Sequence, residues 1–211
     1  MRPSCRSGRT SRPPAEAGVR GSGIPAAPEF QDDGPPLGAG SLSPLEICLL
    51  VLFPVLMAYA AASDLLTMTI PNRLSVALVA GFLALAWLGG LAPQAILLHL
   101  LAGAVVLAGT FAMFAFGWIG GGDAKLAAAT ALWLGFAPLP DYLFTAALAG
   151  GVLTIAILAL RAVPLPGFAL GWSWLCRMHD RKSGVPYGIA LAAAALAVYP
   201  QSEVWTAALG R

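Results

Sequence analysis

The 211-residue chain is 58% hydrophobic and only 10% charged, with a mean hydropathy of +0.78. Ordinary soluble domains carry about 25% charged residues, so this composition excludes an ordinary soluble globule and points to an all-α integral membrane protein. A formal net charge of +2 is too small for a nucleic-acid-binding surface, and Cys5, Cys48 and Cys176 are too scattered to form a zinc site or a disulfide framework.

Residues 1–43 are rich in Arg, Pro, Gly and Ser and nearly devoid of large apolar side chains. Such a stretch cannot bury enough surface to offset its ordering entropy, so a disordered tail is expected ahead of a polytopic membrane domain over 44–211. Arg20 lies far from the first apolar block, so a secretory signal is not expected, although Ala58-Tyr59-Ala60 resembles a signal-peptidase site.

Apolar blocks then follow at about 45–63, 73–91, 94–118, 124–139, 142–160 and 187–199. Most approach the ~20 residues needed to cross a bilayer, the fourth being short. Backbone polar groups in lipid must be satisfied within their own segment, so these blocks predict about six transmembrane helices. Pro54 is expected to kink the first. Small residues at Ala102-Gly103-Ala104 and Ala149-Gly150-Gly151 permit close helix approach. His99, inside the third block, reads as a packed polar residue rather than a ligand.

Lys and Arg near helix ends set orientation. The first connection holds Arg73, the third Lys125, and the fifth Arg161, Arg177, Arg181 and Lys182, whereas the second and fourth hold none. The odd connections therefore face the cytoplasm. The fifth is the longest, and Phe168, Leu170, Trp172, Trp174, Leu175 and Met178 beside its basic residues suit either a segment lying in the interface or a plain tethering loop.

Two acidic residues stand out against this background. Asp64 closes the first apolar block and is followed by Ile70-Pro71-Asn72, in which Pro71 blocks helix continuation and Asn72 is a good N-cap. Asp123 opens the fourth block behind Gly120, Gly121 and Gly122, which allow a sharp turn and close approach of a substrate chain. The charge count places both carboxylates on the cytoplasmic side. A charged group near bilayer depth is a functional hypothesis by default. Two close carboxylates cannot both ionise easily, so together they offer an acid and a base to one water. The base draws a proton from water as it attacks a carbonyl, and the acid protonates the carbonyl oxygen. No metal or other cofactor is called for. Taken singly, either aspartate also reads as a solvated or dipole-paired helix-end residue.

At these residues the sequence resembles the prepilin peptidases, membrane aspartic peptidases that process type IV pilin-like precursors. The matching pieces are Asp64 with Ile70-Pro71-Asn72, then Gly120-Gly121-Gly122-Asp123-Ala124-Lys125-Leu126, then Val185-Pro186-Tyr187-Gly188-Ile189-Ala190. The resemblance implies that Asp64 and Asp123 are the catalytic pair. It implies a prepilin or pseudopilin substrate with a short basic leader before an apolar helix, cut at the cytoplasmic face of a bacterial inner membrane. The larger members that also N-methylate carry an extra domain, often with paired Cys-x-x-Cys motifs. Their absence here resembles the short, peptidase-only form associated with tight-adherence (Flp) pili. Family members often carry basic residues before Ile-Pro-Asn, where this chain has Leu66, Met68 and Thr69.

Supporting residues follow from position. Lys125 is placed to hold a carboxylate ionised, to contact a substrate carbonyl, or merely to snorkel to the interface. Pro186, Tyr187 and Gly188 start the sixth block, with Tyr187 either bonding within the site or belonging to an aromatic belt. Two other function classes use the same features: a small transporter or proton relay with Asp64 and Asp123 as relay groups, and a non-catalytic assembly subunit. The sequence leaves the oligomeric state open.

Overall fold

The computed structural model describes residues 43–167, 171–181 and 183–209. The expected disordered tail therefore lies outside the described residues, apart from Ser43, as do Phe168, Leu170 and Lys182 of the fifth connection. Among the described residues there are no strands. The helices are α1 (Pro44–Thr67), α2 (Asn72–Leu88), α3 (Pro93–Ala115), α4 (Gly121–Leu134), α5 (Leu139–Ala162), α6 (Ser173–His179), α7 (Tyr187–Val198) and α8 (Glu203–Ala208), with a 3-10 turn over Tyr199–Gln201 between the last two.

Three helices, α1, α3 and α5, are long and apolar enough to cross a membrane, while α2 and α7 are shorter apolar helices. The expected fourth span is shorter still, because α4 stops at Leu134, where Gly135 adopts φ +73°. The bundle places its short helices inside. In α4 every residue from Leu126 to Leu134 is buried, as a helix apolar on all sides must be. The Ala-rich α7 packs against α1, α4 and α5, and α4 packs against α2, α3 and α7. The long helices expose large side chains outward instead, including Val55, Leu97, Val105, Leu148 and Ile155.

Side-chain geometry explains how the inner helices fit. Gly103 lets α3 approach α4 closely: a Cβ there would meet Ala128 O at 3.2 Å and Leu132 Cβ at 3.3 Å. His99, 2% exposed, donates from Nδ1 to Leu132 O at 2.7 Å and stacks on Phe82, which agrees with a packed polar residue. Phe53, Trp133 and Tyr199 form a buried aromatic cluster. Trp133 Nε1 donates to Leu78 O at 2.9 Å and Tyr199 Oη to Leu49 O at 2.6 Å, which ties α4 to α2 and the end of α7 to α1. These three buried donors thus find backbone partners. Pro54 is accommodated inside a continuous α1.

The Gly103 contact carries a direct test. Gly103→Val forces branched carbon into the α3–α4 seam and should lower stability by roughly 1–3 kcal/mol, read as earlier thermal unfolding of the detergent-solubilised protein.

Candidate active site

The site forms where the C-terminus of α1 meets the N-termini of α4 and α7. Helix α1 runs through Asp64 to Thr67, a turn beyond the apolar block, and ends with Met68 in the left-handed region at φ 55°, its N–H donating to Asp64 O at 2.8 Å. Polar side chains lock the following turn. Ser63 Oγ donates to Thr69 O at 2.9 Å, and the Thr67 hydroxyl bonds Ser63 O at 2.7 Å and the Thr69 hydroxyl at 2.8 Å. The interval between Asp64 and Ile70 is therefore ordered by a hydroxyl network of Ser63, Thr67 and Thr69.

Asp64 is 5% exposed, and its Oδ2 accepts the N–H of Gly188 at 2.7 Å. Gly188 is the second residue of α7, whose N-cap, Pro186, supplies no side-chain cap. The first N–H groups of a helix lack partners within it, and the helix dipole favours a negative charge there. Asp64 thus caps α7 from another helix. Only glycine fits this contact, since a Cβ on residue 188 would lie 2.8 Å from Asp64 Oδ2 and 2.9 Å from Ile70 Cδ1.

Asp123 sits in the first turn of α4, three residues after its N-cap Gly120, and folds back so that the Gly120 backbone N–H bonds it. It lies ahead of the apolar run of α4, outside the three candidate spans. Burial raises the Asp123 carboxyl to about 6, the charge of Asp64 adds to the rise, and the Gly120 bond opposes it. The two carboxylates, remote in sequence, are therefore in electrostatic contact, the charge of one disfavouring charge on the other.

The glycine run works differently from the expectation of a sharp turn. Gly120 has an extended φ of −73°, and the left-handed residue is Gly117 at φ +76°. What the three glycines provide is room. Cβ atoms on Gly120, Gly121 and Gly122 would meet Asp123 Oδ2 at 2.9 Å, Phe114 at 3.3 Å and Ile70 Cβ at 3.2 Å. Ile70 consequently touches both Gly122 and Gly188. The expectation for Asn72 is also corrected: it is the first residue of α2, Pro71 is the N-cap, and no side-chain cap bond forms. The Asn72 side chain instead accepts from Lys125 Nζ at 2.9 Å, which joins the second and fourth connected segments at the rim.

Tyr187 stays outside the carboxylate pair. Its hydroxyl pairs with Thr154 Oγ1 at 3.1 Å and its ring covers Gly150, where a Cβ would lie 2.6 Å from Tyr187 Cε1. Gly150, read from sequence as a helix-packing position, accommodates this ring. Sequence reasoning did not single out Ile70 as the spacer between two glycines or Thr154 as the partner of Tyr187. The spacer was detectable in the sequence only as an aliphatic residue inside a motif otherwise noted for Pro71 and Asn72.

Two measurements probe the geometry. Gly188→Ala drives a methyl into Asp64 and should cut any Asp64-dependent activity by about 100-fold or more, the scale of losing one well-placed donor, with the bundle still assembled by gel filtration. Removing the Asp64 charge should shift the Asp123 titration downward. In Asp64→Asn, the infrared band of the protonated carboxyl should therefore disappear at a lower pH than in the wild type. A rise would contradict the stated contact.

A model of the type IV leader peptidase family matches residues 51–155, which include Asp64, Ile70-Pro71-Asn72 and the Gly120–Lys125 stretch but stop short of Gly188. No curated protein and no solved structure gives a significant match. With the matched segment supplying two of the three strands of evidence in the site and the fold bringing the third against Asp64, the chain belongs to the type IV leader peptidase family, a family of membrane peptidases.

Proposed function

We propose that the protein is an aspartic endopeptidase of the bacterial inner membrane that removes the short basic leader from a prepilin-like or pseudopilin precursor. The observation that carries this reading is the pairing of a buried Asp64 with Asp123, whose carboxyl is raised by burial and by the Asp64 charge. One proton shared between them lets one member act as base toward water and the other as acid toward the peptide carbonyl, with the roles reversed as the amine leaves. The attacking water adds to the carbonyl carbon, its proton passes to the carboxylate, and the collapsing intermediate expels the amine with a proton from the pair. The pair titrates as a unit.

The remaining parts of the reading follow from family and charge. In this reading α2, α4 and α7 complete six crossings with the three long helices, and both aspartates face the cytoplasm, on the side to which the charge count assigns Lys125 and Arg161. The short, tight-adherence (Flp) pilus type is the part of this reading taken from the family resemblance. The partners are the precursor and the bilayer. A proton relay is less well supported, because the two carboxylates sit together rather than along a path.

The decisive experiment is co-expression with a pilin-like precursor in cells lacking any other such peptidase. Asp64→Asn and Asp123→Asn should each abolish the gel shift that marks leader loss while the protein still inserts. Full processing by both variants would overturn the proposal.

A further inference from the structure

The geometry points to Arg161 as a positioning residue that holds Gly188 against Asp64. This inference rests on the two-aspartate reading and extends it to a side chain at the far end of α5, outside the family match. Arg161 is half-buried in the last turn of α5. Its Nε donates to Met178 O at 2.8 Å, and one terminal nitrogen donates to Ser183 O and Gly184 O, each at 2.9 Å. One guanidinium thus gathers three carbonyls, one from the end of α6 and two from the link to α7. Its planar fork keeps these donors in fixed relation, which a lysine ammonium does not do.

The link matters because of where it leads. Gly184 precedes Gly188 by four residues, and the Gly188 N–H is the donor to Asp64. Between them, Pro186 has no N–H to donate, and Tyr187 is braced on α5 through Thr154 and Gly150. Helix α5 therefore grips the link at two points, Arg161 before the proline and Thr154 after it. Without Arg161 the carbonyls of Ser183 and Gly184 lose their charged donor, and of the two grips of α5 on this link only the one at Tyr187 remains. The Gly188 N–H then wanders relative to Asp64, although no group touching the substrate has changed. The loss should fall on the chemical step rather than on substrate binding.

The test uses full-length protein in detergent or lipid with a purified prepilin-like precursor, comparing wild type, Arg161→Met and Arg161→Lys. Arg161→Met should lower kcat about tenfold or more, the scale of losing charge-assisted bonds that support a donor, with KM within about twofold, as expected when an interaction serves the transition state alone. Arg161→Lys should stay impaired, because it keeps the charge but not the fork. Hydrogen exchange over 183–190 should quicken in Arg161→Met while the buried part of α4 stays protected. Wild-type kcat in Arg161→Met, full rescue by lysine, or unchanged exchange over 183–190 would each overturn the inference. A wild-type protein that cleaves no precursor would instead overturn the proposed function, and the exchange measurement would still decide the role of Arg161.

Discussion

The structure depends on a carboxylate from one helix capping another. The 2.7 Å bond from Gly188 N to Asp64 Oδ2 supplies α7 with the partner that its Pro186 N-cap lacks, and gives a buried acid a donor. Burying a carboxylate without such a donor would be costly. Asp123 meets the same need within its own helix, through the N–H of Gly120. Both acids therefore sit at positive helix termini, where the dipoles of α4 and α7 favour negative charge, while burial and mutual repulsion resist it.

Placing the two short Ala-rich helices at the centre makes the arrangement possible. Small side chains on α4 and α7 let the long helices pack around them, so both N-termini open at one end of the bundle. The aromatic cluster of Phe53, Trp133 and Tyr199 ties α1, α4 and α7 together elsewhere. The carboxylate end is ordered by hydrogen bonds and glycine contacts.

Much of this was legible in the sequence because it rests on rules about charge and periodicity. Asp64 and Asp123 stood out as acids in apolar surroundings, and every long apolar block became a helix. The inner helices were harder to read, because a residue buried in protein and one facing lipid look alike in hydropathy. That is why α4 registered as a weak crossing rather than as the core. Asn72 was misread because a local capping rule competes with a side chain 53 residues away, Lys125, which no local pattern reveals. Gly120, Gly121 and Gly122 were read as allowing a sharp turn and close approach of a substrate chain, yet they and Gly188 serve as space for Asp123, Phe114, Ile70 and Asp64.

Ile70 belongs to a short turn rather than to any helix, yet it seats against Gly122 on one side and Gly188 on the other. The clearance around the acids is therefore gauged by an uncharged aliphatic shim that directly follows the turn tied by the hydroxyls of Ser63, Thr67 and Thr69. A homologue that exchanged those hydroxyls for long basic chains would keep both acids and both glycine notches, but would have to set the thickness of that shim by other means.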